Sequence, residues 1–146
     1  MPERTWDYAE AIIATLEAKL PSAVLPLELV ANDESYKRLQ RVVPSVGLIV
    51  TDIQPVADPK GINSPRQYMR WVWTVLLTAA GDQVARTAGL DMWTLAGLIR
   101  QTLSGFKPGA AATSGALFLV QPGLTFAGLV PGGASYEMTF HQEVAP

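Results

Sequence analysis

RQYMRWVWTVLLTAA, residues 66 to 80, is the most apolar run in the chain, and its reading decides the fold. Its apolar part runs only from Met69 to Ala80 and includes Arg70. A membrane-spanning helix needs about 20 apolar residues, so this is not one. Taken at period two, Met69, Trp71, Trp73, Val75, Leu77 and Ala79 fall on one face, and Arg70, Val72, Thr74, Leu76 and Thr78 on the other. The first face is wholly apolar and the second mixed. Tryptophan and β-branched residues also favour strands. The stretch therefore reads as the central core strand, with Arg70 and Thr74 as the side chains able to face a partner subunit.

Working outward, Gly81 to Gly89 turns the chain into a helix over Asp91 to Gly105. There Met92, Leu95, Ile99, Leu103 and Phe106 recur at steps of three and four. Asp91 suits an N-cap and Gly105 a C-terminal stop. Before the central strand lies QPVADPKGINSPRQ, residues 54 to 67, a long loop with three prolines. Loops of that length in a compact domain are usually functional or disordered. SVGLIVTDI, residues 45 to 53, precedes it as another interior strand. The segment 24 to 30, interrupted by Pro26, reads as an edge strand. NDESYKRLQRV, residues 32 to 42, reads as a solvated loop or a short helical turn.

Between Pro2 and Leu20 the residues Trp6, Ala9, Ile13, Leu16 and Leu20 form one apolar stripe of an amphipathic helix. Asp7 near its start and Lys19 in its last turn match the helix dipole, and Pro21 ends it. Residues 107 to 116, KPGAAATSGA, read as a flexible small-residue segment. Three short strands complete the chain: 117 to 121, 124 to 130 and 135 to 144. Pro122-Gly123 and Pro131-Gly132-Gly133 are the expected turns. In the last strand Tyr136, Met138 and Phe140 point inward, and Glu137, Thr139, His141 and Glu143 outward. Two helices against a mostly antiparallel sheet predict a two-layer α+β fold, a single domain over residues 1 to 146.

Composition narrows the function. Of 146 residues, 49% are hydrophobic and 16% charged, against a usual charged share of about 25%. So little charge suggests surface covered by association. The net charge of -2 offers no basic field for nucleic acid, and Lys60, Arg66, Arg70 and Arg86 are too few and too mixed with acids to form one. The absence of cysteine excludes disulfides and thiolate chemistry. The start, MPERTWDYAE, lacks the apolar segment of a signal peptide, so synthesis and retention in the cytoplasm are expected.

Little in the chain converges on chemistry. His141, the one histidine, has Glu143 beside it but no nucleophile nearby, and reads as a solvated surface residue. The carboxylates Asp33, Glu34, Asp52 and Asp58 read as solubilising charge rather than an acid–base pair. No His or Cys cluster suggests a metal, and no glycine pattern cradles a phosphate. No catalytic, cofactor-binding or metal site is expected, and the chain is not expected to be an enzyme.

Taken in order, "YAEAIIATLEAKLP", "PSVGLIVTDI", "RWVWTVLLTAA", "LDMWTLAGLIRQTLSGFKP" and the closing "YEMTFHQEV" resemble the tail-terminator (tail-completion) proteins of long-tailed bacteriophages, including the type carried by Mu-like prophages. The likeness spans nearly the whole chain and rests on the order of elements. The charged segment 32 to 42 is additional to it. The resemblance implies a virion protein of the tail neck, forming a hexameric ring on the head-proximal end of the tail tube. That ring stops tube polymerisation and offers a surface to the head's connector. Implied partners are other copies of the chain, the tail tube protein, a head–tail connector or neck protein and, as a further contact, the sheath. DNA passes through such a ring without specific binding, and no membrane is involved. No motif carries over residue by residue. Within the long loop, Lys60, Asn63 and Arg66 are the candidate interface residues. Two alternatives stand beside this reading: another neck component, of the head-closure or connector-adaptor kind, and a small ligand-binding domain.

Overall fold

The computed structural model describes residues 5–20, 27–29, 34, 37, 45–55, 69–81, 92–109, 115–130 and 132–144. Helix α1 spans Thr5–Lys19, followed by strands β1 (Leu27–Leu29), β2 (Ser45–Pro55) and β3 (Met69–Ala80). Helix α2 (Met92–Leu103) leads to β4 (Phe118–Val130) and β5 (Gly133–Val144). The strands form one sheet in the order β1-β2-β3-β5-β4. Among the described residues, only the β1–β2 pair is parallel, and the other three are antiparallel. The fold is the two-layer α+β arrangement that the patterning predicts.

The decisive stretch is indeed the central strand. β3 pairs along its full length with β5, from Met69 opposite Val144 to Ala80 opposite Gly133, and with β2 on its other side. Its alternation also holds. Trp71, Trp73, Val75, Leu77 and Ala79 enter the core, and Met69 packs against it. The facing side chains come from Val46 and Leu48 of β2, Met138 and Phe140 of β5, and both helices. The opposite face departs from expectation. Val72, Thr74, Leu76 and Thr78 are buried as well. Their hydroxyls find partners within the sheet, as buried polar groups must. Thr78 and Ser135 are hydrogen-bonded at 2.9 Å, and Thr74 and Thr51 at 3.3 Å.

Helix α1 presents Tyr8, Ala9, Ile12 and Leu16 to the core, and Leu20 joins them just past its end, while Ile13 is only partly buried. The stripe thus runs through Ile12 rather than Ile13. The difference is a small rotation that brings Tyr8 edge-on to Trp71, with ring centroids 4.7 Å apart. The Trp6 side chain lies outside the described residues. In α2, Met92, Leu95, Ala96, Ile99 and Leu103 are buried. Gly105, with φ 83°, ends the helix as the sequence predicts; Asp91 lies outside the described residues.

Three other expectations are corrected. Residues 117 to 121 and 124 to 130 are not separate strands joined by a turn. From Phe118 on they belong to one strand, β4, whose register against β5 slips between Leu119 and Leu124. Gly123, with φ 88°, absorbs an irregularity inside the strand instead of reversing it. The true reversal lies at Gly132, with φ 79°, between the paired residues Val130 and Gly133. The long loop starts two residues later than residue 54, because Gln54 and Pro55 still pair with Arg70 and Met69. Residues 107 to 116 are not wholly an open arm either. Leu117 donates its N–H to the Phe106 carbonyl at 2.8 Å, and Gly115 donates to the Glu143 carbonyl at 2.8 Å. Residues 110 to 114 lie outside the described residues, as does most of the charged segment 32 to 42. Among the described residues, no helix is long and apolar enough to cross a membrane.

Candidate functional site

Lys60, Asn63 and Arg66 lie outside the described residues. What the structure places is the base of their loop. Pro55 and Met69 face each other across the β2–β3 ladder, so the loop joins two adjacent antiparallel strands. Next to that base, Arg70 stands opposite Glu143 of β5 and forms an ion pair with it at 3.2 Å. Both side chains are substantially solvated, which makes the pair a weak one. The Arg70 Nε is buried without a hydrogen-bond partner among the described residues. Thr74, the other side chain expected to face a partner, is buried and bonded to Thr51, so it is not available on the surface.

His141 lies on this same face. It is partly buried rather than fully solvated, and its ring meets Phe118 of β4 edge-on at 5.7 Å. Burial holds its pKa below the ordinary histidine value, and the Arg70 charge adds to this, while the Glu143 carboxylate works in the opposite direction. Among the described residues, no three His, Cys, Asp or Glu side chains gather as a metal site would require.

A more developed surface lies on the far edge of the sheet. β4 is the terminal strand, bordered by β5 on one side only among the described residues. Its helix-side residues Leu119, Leu124, Phe126 and Leu129 stand opposite Phe140, Met138, Tyr136 and Ala134 of β5. Helix α2 covers this row incompletely. A groove of about 410 Å³ remains between them, lined by Trp93, Gly97 and Arg100 of α2, Leu119 and Leu124 of β4, and Met138 of β5. Past the groove Trp93 and Phe126 both pack edge-on to Tyr136, with centroids 5.9 and 5.6 Å away. These large side chains stay open to solvent. Trp93 is 43% exposed, Phe126 55% and Leu129 82%. Phe118, on the other face of the same strand, is 48% exposed.

The apolar stripe of α2 does not flag this surface, because Trp93, Gly97 and Arg100 lie to one side of it. Two signals were nevertheless present in the sequence. One is a tryptophan off the buried stripe of an amphipathic helix. The other is a glycine in the middle of that helix, where it weakens helical preference. Identifying β4 as an edge required the strand order, which local patterning does not contain.

No protein-family model matches this chain, and no curated protein sequence matches it.

Proposed function

We propose that the chain is a structural assembly protein, the tail-terminator ring of a long-tailed phage, and not an enzyme. The observation that carries the assembly reading is the group of exposed large apolar side chains on the helix side of the terminal strand, Phe126 and Leu129, with Trp93 of α2 beside them. Isolated exposed apolar residues are ordinary, but several together on a sheet edge mark an association surface. An edge strand is also a hazard that monomeric proteins commonly blunt with charge, and β4, terminal in the sheet among the described residues, carries no charged residue. The phage assignment rests on the resemblance in element order and on the fit of an α+β domain with one helix-covered face to a ring subunit. A ring requires two different patches that meet head to tail at a rotation that closes. A contact of standard size would bury about 800 Å² on each partner.

The test is the assembly state with and without tail tubes. The expected result is a six-fold ring in negative-stain images and capture of the protein by purified tail tubes. Capture by portal-filled heads and not by tubes would favour the other neck components. A monomer that ignores both would overturn the proposal. Deleting residues 57 to 64 is expected to leave a folded chain that no longer assembles. Rings that still bind tubes would remove the loop of Lys60, Asn63 and Arg66 from the interface.

A further inference from the structure

Gly97 has no internal reason to be glycine. A Cβ built there meets no heavy atom of the described residues within 4 Å, and the residue is not among those with positive φ. Glycine is nonetheless a poor helix former, and this one sits in the interior of α2. It follows Trp93 by four residues and precedes Arg100 by three, so all three share one flank of the helix and line the groove beside β4. That flank offers bare backbone between an aromatic ring and a cation. Arg100 is exposed and forms no ion pair among the described residues.

The outer side of α1 has the matching chemistry. Tyr8, Ala9, Ile12 and Leu16 face the core, which leaves Glu10, Ala14 and Glu17 exposed on the opposite side. There a small residue lies between two carboxylates, at the same spacing of four and three. We infer that α1 of a second copy docks along the Trp93–Gly97–Arg100 flank of α2, with Ala14 seated on Gly97 and a glutamate on Arg100. Small residues at the crossing let the two backbones approach closely. Because a carboxylate stands on each side of Ala14, Arg100 meets one whichever way the helices run. The two surfaces differ, so the contact is head to tail and repeats from copy to copy. It supplies the subunit contact of the ring proposed above, and rests on that reading.

The chain has no cysteine, so introduced thiols report on this contact alone. Ala14→Cys and Gly97→Cys are purified separately, mixed and oxidised. A covalent dimer is expected from the mixture and from neither variant by itself. In parallel, light scattering follows the mass of the wild type, of Arg100→Glu, and of Arg100→Glu combined with Glu10→Lys and Glu17→Lys. The single reversal is expected to weaken association by on the order of tenfold or more, and the combination to restore it. An oligomeric wild type with no mixed cross-link and no response to Arg100→Glu overturns this interface while leaving the ring intact. Covalent dimers from Gly97→Cys alone would pair α2 with α2 and also overturn it. A wild type that stays monomeric at high concentration overturns both. Both cysteine positions are uncrowded, so failure to fold does not obscure the cross-linking result.

Discussion

Trp73 is the most exacting place to test the core. It is 1% exposed, its ring lies 6.0 Å from that of Trp71, and its Nε1–H donates to Gln142 Oε1 at 3.0 Å. Gln142 is itself fully buried. Trp73→Ala removes a large aromatic from a filled site, a change that costs about 3–5 kcal/mol. It also takes away a donor from a buried acceptor, a loss of about 1–3 kcal/mol when nothing replaces it. The two do not simply add, because a cavity beside Gln142 gives it room to move. Against a total stability of roughly 5–15 kcal/mol, the alanine variant is expected at the margin of folding. Trp73→Phe separates the contributions. It keeps most of the apolar burial and loses the N–H, so about 1–3 kcal/mol is expected. The assay is urea unfolding followed by far-UV circular dichroism at one fixed protein concentration, since association adds concentration-dependent stability. An alanine variant with the wild-type midpoint would refute the core placement. A phenylalanine variant as stable as the wild type would refute the importance assigned to the Gln142 hydrogen bond.

Two further outcomes are expected. Gly115→Ala should destabilise by about 1–3 kcal/mol, as overpacking does, because its Cβ would run into the Glu143 carbonyl that now accepts the Gly115 N–H; an unchanged urea midpoint would mean that the 115–117 segment is not held against β5. His141 has a lowered folded-state pKa, so the unfolded chain takes up the proton first as pH falls, and stability declines from the ordinary histidine pKa down to the folded one. His141→Gln should flatten the wild-type decline that sets in as pH falls through the ordinary histidine value of 6.5, with Arg70 and Glu143 unchanged, and equal slopes in the two proteins would show that the imidazole environment has no such effect.

Much of the architecture was legible because period and turn chemistry are local. The face of β3 that holds Trp71, Trp73 and Val75, the α2 stripe from Met92 to Leu103 and the stop at Gly105 all follow from spacing along the chain. The errors arose where local signals have two meanings. Pro122-Gly123 marks a turn in most sequences. Here β5 continues past it, and pairing on both sides of Gly123 makes it an irregularity within one strand. Ile12 and Ile13 both fit an apolar stripe, and the contact of Tyr8 with Trp71 selects Ile12. Gln142 shares the alternation of Tyr136, Met138 and Phe140, and it is buried with its Oε1 accepting from the Trp73 indole on the neighbouring strand.

The sequence alone determined that this chain is an α+β domain with an apolar central strand, because hydrophobic alternation and helical periodicity are set by neighbours a few residues apart. It also determined the scarcity of charge that points to association. Tertiary structure decided which strand lies at the edge, and therefore which apolar side chains stay open to solvent. Strand order joins residues distant in sequence, so Trp93 and Phe126 come together around Tyr136 through folding alone. Local patterning can say that a side chain is apolar, but only the finished sheet shows whether anything covers it.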